Sequence, residues 1–163
     1  MNIVRLWRRM PPLVEDQVDL LRKEIRSILD REGWAVSEET SRECFLFILW
    51  SVHIGLMNMR PGLTRSVLFW LHKRKIRALA IAGDRRLFPQ YERRLIEALY
   101  VVKNVYVERT EQGWAPPLSH RSARMFLNNA APEARSAPGR LLDDVLLILR
   151  RRSSACTATL LAG

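Results

Sequence analysis

Apolar residues recur at helical spacing in the first part of the chain, with charged residues between them. The apolar positions are Val14, Val18, Leu21, Ile25 and Ile28. Steps of three and four residues predict an amphipathic helix with one buried face. Pro11 and Pro12 suit the first turn of this helix, and Gly33 suits its end. Residues 1–10 are then a separate basic N-terminal segment.

A second helix is predicted after Ser37, which is a suitable N-cap. Glu38 and Glu39 would complement the helix dipole in its first turn, and Thr40 with Glu43 offers a second capping box. Residues 44–59 are strongly apolar but fall short of the roughly 18 to 20 residues that span a bilayer. The pattern therefore predicts a buried core helix that ends at residues 60–62.

The next segment begins at Leu63 and leads into a basic run. Helical continuation is the preferred interpretation, although residues 76–82, followed by Gly83 and Asp84, also fit a short buried strand. Periodicity alone cannot separate the two in so short a run.

Pro89 is suited to the first turn of a further helix. Its predicted apolar stripe is Phe88, Tyr91, Leu95, Leu99 and Val102. Residues 105–107 favour a strand, residues 111–113 a turn, and Trp114 a return strand. The predicted order near residues 88–118 is a helix, a strand, a turn and a return strand. A winged helix has this order at and after its recognition helix. A plain helix followed by a hairpin is the alternative.

The composition changes near residue 127. Residues 127–139 are predicted to be a linker, residues 140–152 a short amphipathic helix, and residues 153–163 a flexible tail. Residues 11–126 then form the helical core domain. The predicted fold class is mainly α: a single-domain bundle of four to five helices, with one small β-hairpin as an option.

Positive charge is in clear excess. The chain has 27 basic and 17 acidic residues, a formal net charge of +10, and 23 of the basic residues are arginine. Arginine stays charged and binds phosphate through a planar fork, which suits nucleic acid or anionic lipid. A GC-rich gene could explain the ratio of arginine to lysine, but not the excess of basic over acidic residues.

Catalytic signatures are lacking in the sequence. It contains no glycine-rich phosphate loop, nucleophile elbow, HExxH or CxxC motif. Cys44 lies near a helix start, but Glu43 and burial oppose a thiolate. His53 is interpreted as a hydrogen-bonded core histidine, and His72 as solvated or facing phosphate. We therefore expect a non-enzymatic protein without a cofactor or a metal.

The leading hypothesis is binding to nucleic acid through phosphate contacts. The candidate residues are Lys73, Arg74, Lys75, Arg77, Arg85, Arg86, Arg93, Arg94 and Arg109. Arg109 would lie at the wing of the winged-helix interpretation, and the other eight on or near two helices. Such binding should weaken steeply with salt, because each neutralised phosphate releases counterions.

Two other classes of function stay open. One is a protein-interaction factor, for example a viral accessory or regulatory protein that occludes a host partner. The other is a membrane-surface or matrix-type protein that uses its arginine-rich ends, with self-association. The apolar face of the last helix consists of Leu142, Val145, Leu146 and Leu149, which must pack on the body, on a second subunit or on a partner.

The expected location is intracellular, in the cytoplasm or nucleus. No continuous apolar run follows the basic N-terminal residues, so no secretory signal is predicted. Two distant cysteines fit a reducing compartment, and the apolar segment is too short to cross a membrane. No small-molecule substrate is indicated.

Overall fold

Helices dominate the structure, a computed structural model that describes residues 3–59, 62–82, 85–96, 108–110, 113–115 and 118–161. The helices are α1 (Ile3–Arg31), α2 (Glu38–Met57), α3 (Leu63–Ala82), α4 (Leu87–Ile96), α5 (His120–Ala130) and α6 (Gly139–Leu161). A 3₁₀ turn spans Pro132–Ser136. The predicted mainly α-helical class is confirmed. The described ranges contain six α-helices, whereas four to five were expected.

Helix α2 lies at the centre and packs against each of the other five helices. It is buried on nearly every side, which explains why its sequence is apolar all round rather than striped. The buried core helix predicted for residues 44–59 is confirmed. Within the described ranges, none of the helices is both long and apolar enough to cross a bilayer.

Helix α1 buries the predicted stripe from Val14 to Ile28. It starts earlier than predicted, however, since Pro11 and Pro12 lie inside it. Proline removes two backbone hydrogen bonds at this point. Tertiary packing compensates, because Met10 is buried and Trp7 packs against the core. The predicted boundary between a basic segment of residues 1–10 and the first helix is therefore wrong.

Local signals set the turn between α1 and α2. Gly33 has a φ of +72°, a left-handed conformation that favours glycine, and it ends α1 as predicted. The Ser37 hydroxyl accepts a hydrogen bond from Thr40 N, and Thr40 Oγ1 accepts one from Ser37 N. The Ser37 cap is confirmed, and Thr40 is its partner rather than the start of a second box.

Residues 76–82 are helical, which settles the choice between helix and strand. Further on, β1 (Glu108–Thr110) pairs antiparallel with β2 (Gly113–Ala115), and Arg109 is opposite Trp114. The strand predicted at residues 105–107 and the stripe positions Leu99 and Val102 lie outside the described residues. The winged-helix order stays a prediction.

The C-terminal part differs most from expectation. The predicted linker of residues 127–139 is wrong, because α5 and the 3₁₀ turn occupy it and bury Leu127 and Ala134. The predicted helix end at Arg152 and the flexible tail are also wrong. Helix α6 continues to Leu161 and buries Cys156 and Leu160. Small side chains in this stretch fit closely against α2, which composition alone does not reveal.

Candidate nucleic-acid interface

Helix α3 runs antiparallel to α2 and presents one side to it. The rings of Phe69 and His53 lie 4.5 Å apart, and His72, further along α3, hydrogen-bonds the backbone of Leu49, further back on α2. Leu68, His72 and Ile76 form the buried side of α3. Their burial leaves the opposite side of the helix exposed.

The solvent face of α3 carries two large apolar side chains and two arginines. Its members are Leu63, Ser66, Trp70, Arg74 and Arg77. They follow one another at steps of three or four residues, which places them on one side of a helix. Trp70 is 57% exposed and Leu63 79% exposed. This face therefore combines exposed arginines with an accessible indole ring.

Two cation–π pairs fix the cations to this part of α3. The guanidinium carbon of Arg74 lies 5.2 Å from the Trp70 ring centroid, and Lys73 Nζ lies 5.6 Å from that of Phe69. Both pairs are four residues apart, so a straight helix brings them together. The Arg74 guanidinium thus lies over the Trp70 ring, and both side chains are exposed on the solvent face.

A shallow groove of about 370 Å³ lies between this part of α3 and the end of α2. Its lining consists of Met57, Arg65, Ser66, Phe69, Trp70 and Lys73. Arg65 Nη1 donates a hydrogen bond to the carbonyl oxygen of Met57 at 3.5 Å, which ties the start of α3 to α2. The groove thus has an apolar aromatic floor and a cationic rim.

Positive charge is concentrated in this part of the sequence. Residues 44–83 contain six basic residues and no acidic residue. The sequence of α3 therefore contains basic residues and no carboxylate. This stretch accounts for six of the ten formal charges in excess, within a quarter of the chain.

Elsewhere, the structure pairs several cations with carboxylates. Arg152 Nε and Nη2 donate to the two oxygens of Glu24 at 2.9 and 2.7 Å. Arg31 Nη2 donates to Asp144 at 2.8 Å, so both pairs join α1 to α6. The arginine cluster of residues 150–152 therefore serves packing between helices. Ser153 and Ser154, which follow this cluster, are buried.

The predicted phosphate-binding residues do not form one patch. Lys73, Arg74 and Arg77 lie on or beside the solvent face of α3. Lys75 points to another side, where it lines an apolar cavity with Trp7 and other residues of α1. The predicted cluster of residues 73–77 is thus divided by the helix itself.

The remaining predicted residues follow α3 or lie beyond it. Arg85, Arg86 and Arg93 are on the surface. The pKa of Glu39, at the start of α2, is lowered by its own backbone N–H and by Ser37, and further by nearby Arg42 and Arg86. Glu39 and Met57 are about 27 Å apart along α2, so Arg86 and the groove lie at opposite ends of α2. The side chains of Arg94 and Arg109 lie outside the described part of the structure.

The apolar face predicted to bind a partner is used by the chain itself. Leu142, Val145, Leu146 and Leu149 are all buried against the body of the same molecule. Of the three options, packing on the body, on a second subunit or on a partner, the structure shows packing on the body. These four side chains are therefore not an exposed docking face, and their assignment as partner-binding residues is corrected.

Buried titratable groups connect α2, α3 and α4. His53 Nδ1 is 2.7 Å from the Tyr91 hydroxyl, which is 3.4 Å from His72 Nε2. Burial lowers the pKa of His72 to about 3 and that of His53 to about 4, helped by neighbouring positive charge. Both rings are therefore neutral at pH 7. His53 is a hydrogen-bonded histidine as predicted, whereas the prediction that His72 faces solvent or phosphate is wrong.

The thiols are also inside the protein. Burial raises the pKa of Cys44 and of Cys156 to about 12, which keeps both protonated and opposes a nucleophilic role. Among the described residues, no group of three or more His, Cys, Asp or Glu side chains could hold a metal ion.

Sequence reasoning missed the aromatic part of the interface. The pattern predicts only that Trp70 and Phe69 are helical, although each precedes a basic residue by four positions. That spacing was the available signal. Comparison of the chain with protein-family models, curated proteins and solved structures finds no match. The geometry of α3 is therefore the main guide to function.

Proposed function

We propose that this protein is a non-enzymatic binding protein that contacts nucleic acid through the solvent face of α3, mainly by phosphate contacts. The observation that carries the proposal is the exposure of Arg74 and Arg77 on a helix within a segment that has six basic and no acidic residues. Such a local excess of basic over acidic residues favours a polyanionic partner.

The arrangement suits a linear polyanion. Arg74 and Arg77 are about 4.5 Å apart along the axis of α3, and Arg85 and Arg86 follow the helix and are also exposed. Arg74 and Arg77 thus follow one another along the helix axis rather than surrounding a single point. Arginine forks at such spacing can contact successive phosphates of one strand.

Fluorescence anisotropy across a salt series tests the proposal. We expect the full chain to bind a labelled duplex and a labelled oligothymidine at low salt. The logarithm of the affinity should fall linearly with the logarithm of salt concentration. The double variant Arg74→Ala/Arg77→Ala should reduce both the affinity and this slope, by about one for each phosphate that is no longer neutralised.

A matched control removes the same charge from another helix. Lys23 and Arg26 are exposed on α1, near Asp19 and Arg22. The variant Lys23→Ala/Arg26→Ala should retain most of the affinity if the contact is local to α3. Equal losses in the two variants would instead indicate a nonspecific effect of net charge. Absence of binding at low salt would refute the proposal.

An anionic membrane is the second candidate, and one observation favours it. Leu63, Trp70 and Met57 expose apolar surface beside arginines, as interfacial membrane anchors do. Flotation with anionic vesicles, without binding to either nucleic acid, would support this candidate. The protein-interaction alternative has no comparable support, since the apolar face suggested for it is buried in the chain's own core.

A further inference from the structure

We infer that the strand bound by α3 is single-stranded, and that one of its bases stacks on Trp70 in the groove beside the end of α2. The inference rests on the proposed function and specifies the class of nucleic acid. It depends on the aromatic groups of the interface, whereas the proposed function depends on the cations.

Trp70 is unusually exposed for its size. An indole is a large apolar group, yet this ring is 57% exposed in the middle of a helix whose other side is well packed. The described core does not need the ring, because Leu68, His72 and Ile76 provide the contacts of α3 with its neighbours. A flat ring left accessible in this way can stack on another flat ring.

The groove beside Trp70 has an apolar part and a cationic part. Met57 and Phe69 extend the apolar surface next to Trp70, while Lys73 and Arg65 supply positive charge at its rim. A base in the groove would contact apolar surface, and its phosphate would remain near a cation. Stacking platforms for single strands combine these two features, an aromatic surface and a basic track along the backbone.

A duplex fits these groups less well than a single strand. In a duplex the flat faces of the bases are covered by their neighbours in the stack, so an aromatic side chain reaches them only by separating two base pairs, which costs free energy. In a single strand the bases can turn outward and stack on protein rings. Trp70 therefore adds affinity for a single strand only, whereas Arg74 and Arg77 add affinity for both forms.

The spacing along α3 is consistent with this arrangement. Arg74 and Arg77 lie about 6 Å and 10.5 Å beyond Trp70 along the helix axis. A base stacked on Trp70 would place the following phosphates of its strand near these two arginines. A membrane surface would need no such line of cations, which is why we favour the single strand.

The test compares one variant on two probes. In Trp70→Ala, the affinity of the full chain for oligothymidine should fall about 5- to 150-fold, the equivalent of one stacked base at 1 to 3 kcal/mol. Its affinity for a duplex of the same length should change less than about twofold. Trp70→Phe should restore most of the single-strand affinity, because it keeps a ring.

Leu147→Ala is the matched control, since Leu147 is apolar and 49% exposed but lies on α6, away from the solvent face of α3. It should change neither affinity. Equal losses on both probes in Trp70→Ala, or no loss on either, would overturn the stacking inference while leaving phosphate binding in place. If the unaltered protein binds neither probe, the proposed function fails and the inference fails with it. Vesicle binding that disappears in Trp70→Ala would then assign the ring to a membrane.

Discussion

Gly55 of α2 lies directly against Leu160 of α6. A Cβ atom placed on Gly55 would be 2.6 Å from Leu160 Cδ1, closer than two carbon atoms can approach. Leu160 is itself buried, so it has little room to move away. The close fit of α2 and α6 therefore depends on the absence of a side chain at position 55.

This contact predicts that the effect of Gly55→Ala on stability changes sign when Leu160 is replaced by alanine. In the unaltered protein, Gly55→Ala should destabilise by about 1 kcal/mol, because overpacking outweighs the better helix propensity of alanine. In the Leu160→Ala background the obstacle is gone, and the same change should stabilise by up to about 1 kcal/mol. Denaturant unfolding of the four proteins measures the coupling. The same effect in both backgrounds would contradict the contact.

The buried histidines predict a loss of stability in acid. His53 and His72 have folded-state pKa values of about 4 and about 3, whereas an unfolded histidine titrates near 6.5. Between these values the unfolded chain binds more protons than the folded one, so stability falls as the pH falls. The slope should approach about 1.4 kcal/mol per pH unit for each histidine below pH 6.

Unfolding midpoints between neutral pH and about pH 4.5 measure this slope. His72→Gln should make it shallower, since one of the two groups is removed. His120→Gln is the control, because His120 is on the surface, hydrogen-bonded to Asp143, and both buried histidines remain. An unchanged slope in His72→Gln would show that other groups cause the acid sensitivity.

The thiols predict resistance to labelling. Cys44 and Cys156 are both fully buried with a raised pKa, so an aromatic disulfide reagent should react with neither in the folded protein. Cys44→Ser isolates the signal of Cys156, which reports on the last turns of α6. Rapid labelling of Cys156 in that variant, with the far-UV spectrum unchanged, would indicate that these turns detach from α2.

Glu24 pairs with both Arg151 and Arg152, and these contacts between α1 and α6 should be stronger than the pair of Arg31 with Asp144. Arg152 is largely buried and donates two hydrogen bonds to Glu24, whereas Arg31 and Asp144 are more exposed. Glu24→Gln should therefore destabilise by about 1 to 2 kcal/mol, and Asp144→Asn by less than about 1 kcal/mol. Thermal or denaturant unfolding compares them. Arg152→Lys should also destabilise, because lysine lacks the fork that holds both oxygens of Glu24. Equal effects of Glu24→Gln and Asp144→Asn would contradict this ranking.

Local signals made part of the fold predictable. The stripe that begins at Val14 has helical periodicity along its whole length, and Ser37 and Gly33 act through the backbone nearest to them. The strongly apolar α2 also indicated a central position. In these cases the information needed to form the element lies within the element.

The remaining elements depend on distant parts of the chain. Ser153 and Thr157 look like tail residues, and become helical core because α6 packs closely on α2 at Gly55. The turn before Pro11 is held by side chains that pack on other helices. His72 lies in a basic run, yet it is buried because the apolar residues near it pack this side of α3 against the core. Trp70 precedes it by two residues and therefore lies on the opposite, exposed side of the helix. The excess of positive charge on α3 could be predicted from the sequence, whereas the exposure of Trp70 was missed.

The pairing of Glu24 with Arg152 joins residues that are 128 positions apart. Contacts between such distant residues form slowly, because a long loop must close before they can contribute. Until α6 docks, part of the apolar surface of α1 and of α2 lacks its partner. We therefore expect the rate of folding of this protein to be limited by the docking of α6 on α1 and α2.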